Sequence, residues 1–399
     1  MTCAKFRRTS FTRSFVAVIG VCFAFLSLGL PAQGQQILEK ARSDSNAGTV
    51  RIMTSGVEGA RMIDEIAFTV NEPGRMRVLT MVGDGGVQNV NDILFLRGID
   101  MGVVHHDTLA LLRKEKTYGR IEKQLRFITK LFDEEVHLIS SSNISDISQL
   151  AGRKVNFGKA GSGTYARADR IFKAVGVDVV PVNFDPTQGL EKVATGEIAA
   201  AFYVAAKPSA ILQQIAIGSG LRLLSIPAVG ELETAYRRST LAQNDYPNLI
   251  SDAKSVDTIA VESVLVGYLW SSPNERSGKI ANFVTAFFEG IGEIQKPYRS
   301  TKWREIDVLA DVPGWRRLQI AQDWVSTRFA EKRRQDELLV ASSTDALEEQ
   351  FSNFLATIEQ SGSIEQVIQQ QVRQQPQSEE KLEDLFRDFL QWRNTQNPQ

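Results

Sequence analysis

The sequence predicts an α/β fold of two lobes, followed by a helical C-terminal extension. Strand-like and helix-like segments alternate from Thr49 to about Ser272, a pattern typical of parallel sheets covered by helices. The first alternating unit is interrupted by a second and then resumes, which indicates two lobes joined by two crossing strands. We therefore assign residues 48–138 plus 258–300 to lobe 1, 139–257 to lobe 2 and 301–399 to the extension.

Three short apolar runs in lobe 1 predict strands, because each is bounded by turn-forming residues. These runs are Thr49–Met53, Met76–Met81 and Ile99–Val104. An amphipathic helix follows the first run, and Val87–Leu96 predicts a second helix. Strand, helix and strand at this spacing favour a parallel sheet with helices on its faces.

Lobe 2 repeats the alternation with shorter elements. The predicted strands are Lys154–Phe157, Val179–Phe184, Ile198–Tyr203 and Leu221–Ile226, and the predicted helices are Ser145–Leu150, Thr164–Val175, Gln188–Thr195 and Ser209–Ile217. No element is predicted from Pro227 to Ser255, a stretch rich in turn residues. Crossing strands are expected near 136–140 and 258–266. Because α/β folds bind ligands where strand ends and helix N-termini gather, we expect a binding cleft between the lobes.

The extension carries apolar stripes at helical spacing. Leu318, Ala321, Val325 and Phe329 form one such stripe, and later residues form two more. These stripes indicate either a helical cap packed on lobe 1 or a docking surface for a partner protein.

The first 34 residues predict a secretory signal peptide. A basic start is followed by the apolar run Phe15–Leu30, and Ala32-Gln33-Gly34 fits a small-x-small cleavage site. The alternative is an uncleaved membrane anchor, for which the run is shorter than the ~20 residues that a span requires. We therefore expect a mature chain that begins near Gln35 and is exported to the periplasm.

Charge and cysteine content exclude several classes of function. The whole chain has 46 basic and 47 acidic residues, and four of the basic ones lie in the signal, so the mature chain is acidic. This balance argues against a nucleic-acid partner. Cys3 and Cys22 both lie in the signal, which leaves the mature protein without disulfides or cysteine metal ligands. We expect no metal and no cofactor.

The glycine-rich turn 158–164 is the main candidate for ligand binding. It lies between a predicted strand and a predicted helix, and it offers backbone N–H groups at Gly163 and hydroxyls at Ser162 and Thr164. Such a helix N-terminus can receive a carboxylate. The alternative is that Ser162 simply caps the helix. Tyr165 could stack on a ligand or fill the start of the helix.

Further candidates follow from their places at strand ends. Thr54 and Ser55 end the first strand, and Tyr203 and Lys207 lie on the edge of lobe 2. A lone lysine is more often on the surface than in a site.

The pair His105-His106 could suggest metal or nucleophilic chemistry. Successive strand residues point to opposite faces, so these two histidines cannot readily share one ion. Ser162 with a histidine is the one possible nucleophile pair, but its turn matches neither a nucleophile elbow nor a P-loop. We expect His105 either to contact ligand or to be structural, and we expect no enzyme activity.

Several segments, in order, resemble the TAXI family of periplasmic receptors for TRAP transporters. They are Asn89–Val104, Gly152–Gly158, the Gly-Ser-Gly-Thr of 161–164, Ala194–Tyr203 and Thr258–Val266, and the resemblance spans roughly 48–295. It implies a type II periplasmic binding fold that captures a small organic anion or an amino-acid-like solute. It also implies delivery of that solute to a TRAP-type membrane transporter.

The chain departs from that family in three places. The first cleft loop reads Ser55-Gly-Val-Glu-Gly-Ala-Arg61, His105 stands where the family has Gln, and the helical tail is additional. These differences keep a second hypothesis open, in which the fold is an interaction or sensory module whose tail docks an envelope partner.

Overall fold

The computed structural model describes residues 32–46, 48–250, 255–270, 274–335 and 338. Most of the predicted signal peptide and the two later apolar stripes of the tail lie outside these residues. The chain divides into two compact units, Met1–Gln322 and Asp323–Gln399. In the second unit, residues 323–335 are helical. Everything below concerns the first unit.

The first unit contains ten strands interleaved with helices. The strands are β1 (Thr49–Ser55), β2 (Arg77–Gly83), β3 (Met101–His105), β4 (Leu125–Ser141), β5 (Lys154–Asn156), β6 (Val180–Val182), β7 (Ala200–Ala205), β8 (Leu221–Leu224), β9 (Arg237–Ala242) and β10 (Ser255–Tyr268). The α-helices are α1 (Ala32–Asn46), α2 (Gly56–Val70), α3 (Gly86–Phe95), α4 (His106–Glu115), α5 (Gly163–Ala174), α6 (Pro186–Ala194), α7 (Ala210–Gln213), α8 (Leu232–Ala235), α9 (Glu275–Glu289) and α10 (Ile291–Ile294). Short 3₁₀ turns occur at Ile121–Lys123, Ile147–Leu150 and Thr301–Glu305.

The strands form one mixed sheet with the order β2-β1-β3-β10-β4-β7-β5-β6. In lobe 1, β2, β1 and β3 run parallel and β10 pairs antiparallel with β3. Lobe 2 repeats the arrangement, since β6, β5 and β7 run parallel and β4 pairs antiparallel with β7. Each lobe thus has the same four-strand plan, which confirms the predicted α/β fold class.

The two long strands β4 and β10 connect the lobes. They pair antiparallel with each other, and the pairing runs from Leu125 opposite Tyr268 to Glu135 opposite Ala260. Phe127 and Val266 lie in the core of lobe 1, whereas Leu138 and Ile259 lie in the core of lobe 2. Both strands therefore belong to both lobes, and a change in their twist or bend would move one lobe relative to the other.

Some predicted elements differ from the observed ones. Residues 237–242, expected to be irregular, form β9 along β10. Where a helix was expected over Ser209–Ile217, the structure has only the single turn α7. The sequence analysis did not predict a helix at the position of α1. In the extension, residues 306–318 carry only turns and bridges, and residues 319–335 are helical. No helix among residues with described placement is long and apolar enough to cross a membrane.

Candidate functional site

A cavity of about 320 Å³ lies between the two lobes. Its lobe 1 wall is formed by the ends of β1 and β2, the first turn of α2, and His105 at the end of β3. Its lobe 2 wall is formed by the turn before α5, by Asn156 of β5 and by β7. The polar residues that line it include Ser55, Glu58, Asp84, His105, Glu134, Asn156, Lys159, Ser162, Thr164, Asp185 and Tyr203. The walls come from strand ends and helix starts, as in other α/β folds.

His105 and Glu134 form a largely buried polar pair in the wall of the cavity, with side chains 11% and 15% exposed. His105 Nε2 lies 3.2 Å from Glu134 Oε2, and the Ser263 hydroxyl donates to Glu134 Oε1 at 2.6 Å. Burial alone would raise the pKa of Glu134, but the neighbouring His105 and the Ser263 hydroxyl hold it below its usual value. Glu134 is therefore a fixed negative charge in the wall of the cavity.

Glu58 supplies a second carboxylate, in the first turn of α2. Its Oε1 accepts hydrogen bonds from the Ser209 hydroxyl at 2.5 Å and from the Ala210 amide at 2.9 Å. Its Oε2 is buried and has no hydrogen-bond partner among the described residues. Burial raises the pKa of Glu58, although the bonds from Ser209 and Ala210 oppose the shift. A buried carboxylate oxygen without a donor favours a ligand that brings one.

The cavity carries more acidic than basic groups. Asp84 and Asp185 join the two glutamates, whereas Lys159 and His105 are the basic residues that line it. Lys159 Nζ lies 2.5 Å from Asp84 Oδ2 and is thus already paired across the cleft. The cleft as a whole favours a solute with a positive or hydrogen-donating group.

The turn before α5 lines the cavity, and it also caps its helix. Ser162 Oγ accepts from the Tyr165 amide at 3.2 Å, so the capping alternative is observed. The Ser162 hydroxyl hydrogen can still be donated, and Thr164 beside it also lines the cavity. N–H groups in the first turn of a helix have no intrahelical acceptor, so this corner can receive an oxyanion.

The structure brings five of the nine predicted site residues to the cavity: Ser55, His105, Ser162, Thr164 and Tyr203. The other four lie elsewhere. Thr54 is buried at 2% exposure, and Gly163 packs against the backbone of Gly86. Tyr165 packs edge-on against Phe157 with ring centroids 5.5 Å apart. Lys207 Nζ donates to the Thr240 carbonyl and lies 3.9 Å from Asp245, so it faces lobe 2 and not a ligand.

Glu58 was missed by the sequence analysis, although its loop was noted as unusual. A glutamate at the start of a helix is ordinarily explained by the helix dipole, so its type and position gave no sign of a binding role. The two histidines contact different carboxylates, but His106 is the first residue of α4 and not a strand residue, so strand alternation does not apply to it. His105 faces Glu134, whereas His106 Nδ1 lies 3.9 Å from Glu262. Within the described part of the chain, no group of three or more His, Cys, Asp or Glu side chains could hold a metal ion.

A buried ion pair joins the lobes beside the cavity. Arg167 of α5 donates from Nε and Nη2 to the two carboxylate oxygens of Asp107 at 2.9 and 2.8 Å. The Tyr236 hydroxyl donates to Asp107 at 3.0 Å, and the side chain of Arg167 is only 1% exposed. Together with the contacts of Glu58 and Lys159, this pair links the two lobes.

Comparison with known proteins gives a family match and distant structural similarity. The model of the NMT1-like family matches residues 58–274, just over half of the chain. A putative sulfonate-binding protein of a sulfonate ABC transporter from Methylobacillus flagellatus is 14% identical, with 71% of this chain and 77% of that chain covered and a TM-score of 0.41. The substrate-binding protein of an amino acid ABC transporter is 10% identical over 64% of this chain and 96% of that one, with a TM-score of 0.38. A mutant of Corynebacterium glutamicum OxyR is 13% identical over 71% of this chain and 75% of that one, with a TM-score of 0.40.

Proposed function

Because the chain belongs to the NMT1-like family, we propose that it is an exported solute receptor that closes two lobes on a small amino-acid-like molecule. It catalyses no reaction, and it passes the solute to a TRAP-type membrane transporter. The observation that carries this proposal is the cavity of about 320 Å³ between the lobes, whose walls combine a helix start with buried carboxylates.

The distribution of charge in the cavity supports a solute with both a carboxylate and an amine. The turn at Ser162 and Thr164 offers donors to the carboxylate. Glu58 Oε2, buried and without a donor in the described part of the chain, suits the ammonium group at the opposite wall. A plain dicarboxylate would place negative charge against Glu58 and Glu134, so it fits less well.

Thermal unfolding of the mature chain tests this proposal. A solute at a hundred times its Kd adds about 2.7 kcal/mol, which raises Tm by roughly 5 °C in a chain of this size. We expect this shift with at least one amino acid, and no shift with dicarboxylates that lack the amine or with amines that lack the carboxylate. Glu58→Gln should weaken binding about tenfold or more, because it removes a charge-assisted bond. Glu197→Gln, which changes an exposed carboxylate of lobe 2, is the matched control.

The pH dependence of binding provides a second readout of Glu58. Its pKa is raised in the free protein, so affinity for an amine should fall as the pH drops through that raised value and the carboxylate takes up a proton. Glu58→Gln should flatten this part of the profile. Shifts that occur equally with dicarboxylates and amino acids would contradict the amine contact.

Delivery to a transporter requires a separate test in cells. Cells that lack the receptor should lose uptake of the labelled solute, and the wild-type chain should restore it. If no compound shifts Tm while an envelope partner binds through residues 301–399, the sensory alternative is favoured instead.

A further inference from the structure

A second pocket, of about 180 Å³, lies at the end of lobe 1 where β4 begins. Four of its six lining residues are basic: Arg120, Lys123, Arg126 and Arg316, with Glu122 and Gly314 completing the wall. Arg126 and Glu134 are eight residues apart on the same strand, so this pocket lies roughly 25 Å from the cleft. It is a separate site on the molecule.

The fold brings these cations together from distant parts of the chain. The Phe127 amide donates to the Arg316 carbonyl at 3.2 Å, which places Arg316 beside Arg126. Arg126 Nη1 donates to the carbonyls of Glu122 and, at 2.9 Å, Leu125, so its guanidinium is held in place. A fifth cation, Arg113, lies against Gly314, where a Cβ atom would come within 1.2 Å of its Nη1.

The positive charge of this pocket is not neutralised within the part of the chain that the structure describes. Its one acidic residue, Glu122, pairs with Arg120 at 3.5 Å. No described carboxylate lies within ion-pair distance of Lys123, Arg126 or Arg316. Burial and the charge of Arg316 lower the pKa of Arg126, and the opposing effect of Glu122 does not offset them. Like charges placed side by side cost free energy unless an anion lies between them.

We propose that this basic pocket is a second binding site, for a phosphate-type oxyanion. A guanidinium group can donate two parallel hydrogen bonds to two oxygens of one phosphate. Here Arg126 of β4, Lys123 of a 3₁₀ turn and Arg316 of a loop line one pocket. Donors that come from several elements suit a tetrahedral, multiply charged anion better than a planar carboxylate. Free phosphate and the headgroup of an anionic phospholipid share this chemistry.

Two binding assays distinguish the sources. Isothermal titration with inorganic phosphate and pyrophosphate measures the free anion, and co-sedimentation with phosphatidylglycerol vesicles, against phosphatidylcholine vesicles, measures the headgroup. We expect binding in at least one assay, and Arg126→Gln and Arg316→Gln should each weaken it about tenfold or more. Arg153→Gln, an exposed arginine of lobe 2, makes the same change in net charge and should leave binding intact.

The outcomes separate a built site from general electrostatic attraction. Binding that all three variants weaken equally, or that none of them weakens, overturns the proposal, as does the absence of binding in both assays. Arg316→Gln should leave Tm without phosphate unchanged or higher, because it relieves repulsion, so a loss of binding cannot be attributed to unfolding. Binding of the amino-acid solute in the cleft should be the same in these variants.

Discussion

Replacing Arg167 with methionine tests how the lobes are held together. In Arg167→Met, a flexible apolar side chain takes the place of the guanidinium. The Asp107 carboxylate then stays buried with the Tyr236 hydroxyl and the amide and hydroxyl of Thr108 as its remaining donors. Removing one partner of a buried ion pair costs about 3–5 kcal/mol, because the other charge is left uncompensated. At about 2 °C per kcal/mol for a large domain, Tm should fall by roughly 6–10 °C.

Urea unfolding of a set of variants checks this reasoning. The double variant Asp107→Leu/Arg167→Met removes both charges and should recover most of the loss, since buried pairs can often be replaced by apolar residues. Lys173→Met breaks an exposed pair with Asp169 on the same helix and should cost less than about 1 kcal/mol. A loss below about 1 kcal/mol in Arg167→Met, or a double variant as unstable as the single one, would refute the argument.

The same ion pair predicts resistance to acid. Burial would raise the pKa of Asp107, but Arg167 and the other donors hold it well below its ordinary value. A carboxyl group whose pKa is lower in the folded than in the unfolded chain stabilises the fold fully above its pKa in the unfolded chain, about 3.9. This contribution is lost as the pH falls further, towards the pKa of the folded state. The pair should therefore stay intact at mildly acidic pH.

Two further substitutions test the contact between the lobes and a buried histidine. Gly86 has φ +55°, and a Cβ there would lie 2.9 Å from the Gly163 amide nitrogen, so Gly86→Ala should cost more in urea unfolding than Gly74→Ala. Gly74 has φ +79° with open space around it, so Gly74→Ala measures backbone strain alone, about 1–2 kcal/mol. Equal losses of unfolding free energy in the two variants would argue against the close contact of Gly86 with Gly163. Burial lowers the pKa of His137 to about 3 in the folded protein. Between pH 3 and 6.5 the imidazole is therefore protonated only in the unfolded chain, so the free energy of unfolding decreases as the pH drops through that range. In His137→Gln, the loss of unfolding free energy between pH 7 and pH 5 should shrink by about 2 kcal/mol, and an unchanged loss would show that His137 is not the cause.

The sheet could be predicted from sequence where its elements depend on local pattern. β1, β3 and β10 are runs of apolar residues, so the hydrophobic pattern of the sequence is enough to identify them as strands. β9, with the sequence Arg-Arg-Ser-Thr-Leu-Ala, has no such run, because it forms by pairing with β10 and exposes much of its surface. α7 ends after Gln213 although apolar residues continue; of these, Ile215 packs against the small core around Leu223, whereas Ile217 is 83% exposed.

Residues of the cavity were predictable where the chain carries a recognisable turn or a strand end, as at Ser55, His105 and Tyr203. The glycine-rich turn before α5 indicated Ser162 and Thr164 because small residues between a strand and a helix have a known use. No local signal indicated that Arg167 pairs with Asp107, 60 residues away, or that Arg316 lies beside Arg126. Such contacts arise from the topology of the sheet, and a single sequence carries no record of them.

The contacts across the cleft differ in what a solute can change. Neither Arg167 nor Asp107 lines the cavity, so their ion pair links the two lobes whether or not the cavity is filled. Glu58 also bridges the lobes, but its buried Oε2 makes no bond to any described residue, which leaves part of its desolvation uncompensated. A solute ammonium would remove that cost only when the lobes are closed. A ligand shifts a conformational equilibrium only by its difference in affinity for the two states, so Glu58, and not the ion pair, is the contact through which a solute would favour closure.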